Sequence, residues 1–534
     1  MSSNRSNPIP KMSDLVAYTL AFSFLGYHLV DRWDFVPIWD AYNFYTYCYS
    51  DFALNNDLNC FSHISQAGTV IFGTFLKIFK SVNALYTLNF STLLISTVLL
   101  REILTQLSPS KDTSLPATLS SLLLPLSPLV FVQVFQFSLD FPIIVATIIF
   151  LYFLLRDRIF LVTTVLGPIL VLTKEPAIFI YCTAVFWYLF LLKYSGNPRW
   201  PSLRDLSQFV FPLIIFSLMA LMNGLHTSEY GLTPSLLFHK IILGGILNYV
   251  ALSQAVVLLS INFVWLLTIV IFFALTNFIG KILFHQTDLK NEFDHQKNYL
   301  FILMTCITLI FLTNLYVPFG NPRYVSSCFV FLIILFHMSA ISIFRDRRIL
   351  ISYSFMTLIL FGASFNRTFD PVSTSLFASH KFGDHFLLNV MQLKWRNPGR
   401  KVENCQDQFV YNFEFMKISD SFEYIVSVLG KDKTYAALTH PLYHINDPYE
   451  VICFNKMSNH REMCTGSSAR INVKNLKDIQ KVKDFYFIDL SIVRIVRNAR
   501  ELEKLMGNYY IEETMTLGVP GYEIPVYHVS RRNY

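Results

Sequence analysis

Along residues 1–363 the chain alternates long apolar runs with short polar breaks. The runs fall at roughly 14–30, 82–100, 115–134, 141–155, 159–173, 176–192, 207–224, 254–278, 298–317, 324–343 and 349–363. Each is close to the length needed to cross the ~30 Å hydrocarbon layer of a bilayer. A further apolar stretch, 68–79, is too short to span and reads as a helix lying along one face. The pattern therefore predicts an α-helical polytopic membrane protein of about eleven transmembrane helices. Beyond residue 363 the periodicity changes. Segments 422–429 and 498–506 are expected as helices, and 484–488 and 524–529 as strands. Two domains follow: a transmembrane part, 1–363, and a soluble α/β domain, 364–534.

Composition agrees with this division. The 534 residues are 53% hydrophobic and 15% charged, against roughly 25% charge in soluble domains. The net charge of +7 does not mark a nucleic-acid binder, because 22 of the 43 Lys and Arg lie in 364–534 without a basic helix or aromatic platform. With eleven spans, fifteen Lys and Arg fall in loops on the N-terminal side and six on the other. The positive-inside rule then puts the N-terminus in the cytosol and the C-terminal domain outside it. Counting 68–79 as a span would put Arg101, Arg156 and Arg158 on the wrong side. The first run follows Arg5 and Lys11 without a small-residue cleavage site and reads as a retained anchor. The eight cysteines form no Cys-x-x-Cys pair, which argues against a zinc or thioredoxin-like site. Cys182, Cys306 and Cys328 lie in apolar runs and are expected to pack in the core. Cys48 with Cys60, and two of Cys405, Cys453 and Cys464, are disulfide candidates, Cys453 with Cys464 being favoured.

The residues with chemistry to offer gather on the predicted outer side. Asp40 stands in Trp39-Asp40-Ala41-Tyr42, flanked by Trp33, Phe44 and Tyr45, an aromatic belt of the kind found at headgroup level. A carboxylate placed there can act as a general base between a lipid substrate and an acceptor arriving from water, worth ~10²–10⁴-fold. Asp140 lies between two runs just before Pro142; it suits a helix N-cap and can also orient a substrate. Lys174 follows an unbroken apolar run; it can neutralise a phosphate diester, snorkel, or pair with Glu175. Arg323, in Asn321-Pro322-Arg323-Tyr324, offers a bidentate fork for phosphate oxygens or an interfacial anchor. His63 and the set His226, Glu229 and His239 could serve as metal ligands, but loop histidines are common at membrane surfaces. No Asp-x-Asp pair is present, so a divalent ion holding a nucleotide or diphosphate donor is not indicated, and the expectation is no metal and no cofactor. Asn366-Arg367-Thr368 is a glycosylation sequon, meaningful only in a eukaryotic host.

With these motifs in order, the chain resembles the GT-C membrane glycosyltransferases. It looks most like the branch containing protein O-mannosyltransferases and the lipid A aminoarabinose transferase. Asp40 with Tyr42 is similar to the family's acidic motif in the first outer loop, although Ala41 stands where a Glu is frequent. The segment from His63 through Gly68 to Phe79 resembles its surface helix, beginning His-Ile-Ser-Gln instead of His-Pro-Pro. Asp140, the segment Leu172-Thr173-Lys174-Glu175-Pro176-Ala177, and Asn321-Pro322-Arg323-Tyr324 complete the likeness, which covers roughly residues 10–345. The resemblance implies transfer of one sugar from a polyprenyl- or dolichyl-phosphate donor to a lipid, glycan or protein acceptor, by inverting displacement. On this implication Asp40 is the base, Asp140 an assisting acid, and Lys174 and Arg323 phosphate contacts; His63, Glu175 and Tyr42 join the substrate site. The membrane would be a bacterial inner membrane, or the endoplasmic reticulum in a eukaryote. A transporter or flippase of lipid-linked sugars is the alternative, but no duplicated halves are visible. A receptor or scaffold would instead make the outer domain the working part and leave Asp40 dispensable.

Overall fold

The computed structural model describes residues 11–32, 44–58, 66–108, 114–136, 139–193, 203–222, 259–284, 289–316, 326–344, 346–365, 367, 369–377, 379–382, 385–386, 417–430, 433–438, 472–473, 483–489, 499–520 and 522–532. In chain order the helices begin with α1 (Met12–Asp31), α2 (Asp51–Asn55), α3 (Gln66–Phe79) and α4 (Val82–Leu107). Next come α5 (Ser114–Leu126), α6 (Pro128–Phe135), α7 (Asp140–Leu154), α8 (Ile159–Val171) and α9 (Ala177–Lys193). α10 (Leu203–Met222), α11 (Leu266–Phe284), α12 (Leu289–Tyr316), α13 (Cys328–Ile343) and α14 (Arg347–Ser364) follow. Apart from α2, these helices overlap the predicted apolar runs or, for α3, the stretch expected as a surface helix.

By length and apolar composition, Val82–Leu107 meets the requirement for a membrane crossing among the described residues; α5 and α6 supply a second if counted as one bent span. Several other predicted positions hold apolar helices of 10–17 residues. The expectation of eleven crossings therefore exceeds what helix length and apolarity establish. Leu20, Leu221, Phe272 and Met356 are each more than 60% exposed on helix exteriors.

The broken pair α5–α6 forms the centre of the bundle. Every residue from Pro116 to Phe135 is buried, and α5 packs against α1, α4, α13 and α14. The bend of 54° has a local cause. Ser127 precedes Pro128 and is extended, at φ −68° and ψ 121°, while Pro128 opens the next helix. Proline disfavours helical backbone in its predecessor yet suits a first helical turn.

Arg101 ties one end of the bundle together. It sits in α4, 2% exposed, and its guanidinium reaches Asp14 of α1 at 3.1 Å, Glu102 at 2.8 Å, Ser114 at 2.8 Å and Thr118 at 3.0 Å. Sequence placed Arg101 in a loop; the helix instead runs on to Leu107 and carries it inward. Arg156, beyond α7, adds an ion pair with Glu102 at 3.9 Å and lies 3.5 Å over the Tyr152 ring. His337 of α13 is fully buried close by in the helix order, its two ring nitrogens 3.1 Å from Ser108 and Ser120.

The C-terminal part builds a five-stranded mixed sheet from β3 (Thr434–Leu438), β4 (Asn472–Val473), β5 (Asp484–Asp489), β6 (Tyr509–Val519) and β7 (Tyr522–Arg531), after a small hairpin, β1 (Lys381–Phe382) and β2 (His385–Phe386). The order is β4-β3-β5-β7-β6, with β3 parallel to β4 and β5, and β7 antiparallel to β5 and β6. Helices α15 (Pro371–Phe377), α16 (Lys417–Leu429) and α17 (Ala499–Met506) complete the set. Strand side chains alternate between faces. Ile488, Ile524 and Val526 join Phe422, Ile425 and Val426 of α16, while Phe485, Phe487, Tyr527 and Val529 cluster with Leu502 of α17. Both expected strands and both expected helices are present. β6 escaped the sequence pattern because it is an edge strand whose Glu512 and Glu513 face outward, the device by which edges resist further pairing. Arg32, at the end of α1, pairs with Asp420 of α16 at 3.3 Å. Burial raises the Asp420 carboxyl above its ordinary value, and Arg32 opposes that rise.

Candidate functional site

At the end of the bundle away from Arg101, three predicted site residues are described: Asp140, Lys174 and Glu175. Asp40, Tyr42, His63 and Arg323 lie outside the described residues, as do Cys60, Cys405, Cys453, Cys464, Asn366 and the set His226, Glu229 and His239. Among the described residues no cluster of His, Cys, Asp or Glu is arranged to hold a metal.

Asp140 and Lys174 meet. The Lys174 ammonium lies 2.7 Å from Asp140 Oδ1, with 6% and 3% of the two residues exposed. Local structure explains the meeting. Asp140 occupies the first turn of α7, where a carboxylate is favoured by the helix dipole. It does not serve as N-cap: Leu139 holds that position, and no side-chain capping bond is made. Lys174 sits in the break between α8 and α9, where Pro176 bars continuation of the helix. The Lys174 carbonyl accepts from the Ala177 N–H at 3.0 Å, which starts α9. Lys174 thus takes Asp140 as its counter-ion across 34 residues of sequence. Glu175 is partly buried beside it.

A described segment of the first loop packs against α3. Residues Tyr45–Ser50 form a π-helical turn that leads into α2. Tyr49 is fully buried there, its ring 4.9 Å from that of Phe72 in α3. Burial, and then the negative charge of Asp140, push its phenol well above the ordinary value. The electrostatic reach of Asp140 therefore extends to Tyr49. Sequence reading missed Tyr49 and assigned Phe44 and Tyr45 to an interfacial belt. Both are inside the protein, at 8% and 0% exposure. The signal available was the density of aromatics from Phe44 to Tyr49, which exceeds what a headgroup fringe requires.

Helix α3 touches all three segments. The Ala67 N–H donates to the Leu172 carbonyl at 3.1 Å, two residues before Lys174. At Gly68 an added Cβ would fall 2.6 Å from Leu139 Cδ2, beside Asp140. At Gly73 it would fall 2.9 Å from Cβ and Cγ of Phe52 in α2. Cys48, in the π-helical turn, is disulfide-bonded. Its partner lies outside the described residues, since Cys182, Cys306 and Cys328 are free. Cys306 and Cys328 are buried as expected, whereas Cys182 is exposed.

No family model matches the chain, and no curated protein does. Among solved structures it is similar to ArnT from Cupriavidus metallidurans bound to undecaprenyl phosphate, with TM-score 0.49 and 9% identity over 96% of this chain and 97% of that one. It is also similar to the apo state of ArnT from Cupriavidus metallidurans, with TM-score 0.46 and 11% identity over 96% of each chain.

Proposed function

We propose that the protein is a multi-pass membrane glycosyltransferase that moves a single sugar from a polyprenyl- or dolichyl-phosphate donor to a lipid, glycan or protein acceptor on the extracytoplasmic face. The observation that carries this reading is the buried Asp140–Lys174 pair, 2.7 Å apart between two helix breaks. Ionisable residues inside a membrane protein are expensive and serve substrates more often than stability. A buried ion pair is also weak evidence for stability, because an apolar replacement is often as stable.

The chemistry assigns roles as follows. An acceptor hydroxyl attacks the anomeric carbon, the bond from that carbon to the phosphate oxygen breaks, and the lipid phosphate leaves with the electron pair. Asp40 takes the acceptor proton. Lys174 has three N–H donors, so it can hold Asp140 and still donate to a phosphate oxygen as negative charge gathers there. Arg323 supplies a second cationic contact, and Asp140, 2.7 Å from the Lys174 ammonium, holds it in place. Tyr42, His63 and Glu175 are assigned to substrate binding in this scheme. One displacement inverts the anomeric centre. A disulfide at Cys48 supports an oxidising compartment for the first loop, and so supports this sidedness.

The test compares cells making the native chain with cells making Asp40→Asn at equal membrane abundance, with glycolipids, surface glycans and exported glycoproteins profiled by mass spectrometry. Loss of one discrete sugar increment in the variant is the expected result. An increment that survives in Asp40→Asn removes the base from the scheme. Accumulation of an unflipped lipid-linked precursor replaces the scheme with transport.

A further inference from the structure

We infer that α3 is the positioning element of the site and that Gly68 is the residue through which it sets the Asp140–Lys174 pair. The inference rests on the transferase reading above. Three independent contacts converge on this one helix of 14 residues. The Ala67 N–H holds the Leu172 carbonyl, fixing the backbone that leads into Lys174. Gly68 lets α3 approach Leu139, the residue before Asp140. Phe72 and Gly73 seat Tyr49 and Phe52 of the first loop. At some 21 Å, a helix of this length is too short to cross a bilayer. It lies instead where the three loops meet, with Gln66, Gly68, Thr69, Phe72, Gly73 and Leu76 facing inward.

Gly68 is the sensitive point because of what surrounds Leu139. A Cβ at 68 meets Leu139 Cδ2 at 2.6 Å, a separation side chains do not tolerate. A terminal methyl can swing aside when it faces open space, but Leu139 is 0% exposed and sits in close packing. Its carbonyl also receives the Ile143 N–H at 3.3 Å, so its backbone belongs to the first turn of α7. Pressure at Leu139 therefore moves either α3, carrying the Ala67–Leu172 bond, or the first turn of α7, carrying Asp140. Both routes change the Asp140–Lys174 geometry without altering either charged group.

The test uses the full chain in native membranes, with Gly68→Val, the double variant Gly68→Val/Leu139→Ala, and Asp140→Asn. The double variant conserves the carbon count at the contact, so it relieves the overlap without opening a void. Sugar increment per folded protein is read by mass spectrometry, with folded protein measured by monodisperse recovery and thermal melting. A misplacement of ~1 Å lowers rates by roughly 100-fold. Gly68→Val is therefore expected to lose roughly 10- to 100-fold of transfer per folded molecule, and the double variant to recover most of it. Native transfer rate in Gly68→Val overturns the inference. So does a double variant that folds normally yet stays as slow as Gly68→Val. An increment that persists in Asp140→Asn dissociates α3 from catalysis and overturns it too. If native cells make no chain-dependent increment at all, the transferase reading itself fails, and the inference falls with it.

Discussion

Neutralising the Asp140–Lys174 pair as a unit separates its chemical from its structural role. The charges lie 2.7 Å apart with 3% and 8% of their side chains exposed. At an effective dielectric constant of ~20 their gross attraction is about 6 kcal/mol, offset by several kcal/mol of desolvation per ion. Removing one member strips the other of this counter-ion, and such single changes cost about 3–5 kcal/mol. Unfolding entropy of ~2.1 cal/mol/K per residue, applied to 534 residues, makes each kcal/mol worth about 1 °C. Lys174→Met and Asp140→Asn are each expected to melt about 3–5 °C below the native chain in detergent. The combination Lys174→Met/Asp140→Asn is expected to melt within about 2 °C of native, because no lone charge remains. Transfer should fall by at least ~100-fold in all three, since the phosphate contact is gone in each or misaimed. A doubly neutral variant that melts like native and transfers like native would refute the reasoning, leaving the pair as a cross-link only.

Arg101→Met is expected to lower stability by about 3–5 kcal/mol by stranding Asp14, with recovery in Arg101→Met/Asp14→Asn and unchanged transfer per folded molecule; melting curves and sugar increments of both variants check it. Alkylation of the unfolded chain without reductant should label Cys182, Cys306 and Cys328 but spare Cys48, and label on Cys48 before reduction contradicts the disulfide. Bonds from Ser530 and Tyr510, and then the charge of His528, lower the Glu512 carboxyl below its usual range. The unfolded chain then binds more protons than the folded one, so this contribution is present above pH ~4.5 and is lost as pH falls through the folded value. Glu512→Gln should remove that rise with pH from β6–β7 amide exchange protection, and a curve that keeps its native slope counts against the assignment.

The helices of the bundle were legible because apolar runs of fixed length leave few alternatives in a membrane. The Phe44–Tyr49 turn was not, since an aromatic serves equally at an interface and in a core, and only tertiary packing chooses. Arg101 misled for a related reason. A charge at the end of an apolar run reads as a loop residue unless its partners are known, and these stand at Asp14, 87 positions away, and at Ser114. Asp140 and Lys174 were each recognisable as unusual, yet their pairing depends on how α7 and α9 are set by α3, a matter of backbone approach that residue types do not encode. The Gly68 contact lies beyond sequence for the same reason: a glycine in a helix announces closeness without saying to what.

The knot at Arg101 has a mechanical consequence for the opposite end of the bundle. Its guanidinium binds α1, α4 and α5 at one point; farther along, Arg32 at the other end of α1 pairs with Asp420, and Asn89 of α4 donates to the Val134 carbonyl of α6 at 3.0 Å. From Arg101 to Val82, at the head of α4 next to α3, the helix runs about 29 Å at 1.5 Å per residue. A tilt of ~5° at the knot carries the far tip through about 2.5 Å, comparable to a hydrogen-bond length, for a rise of 1.5 Å per residue. A small tilt at Arg101 would therefore be felt at the end of α4 that packs against α3.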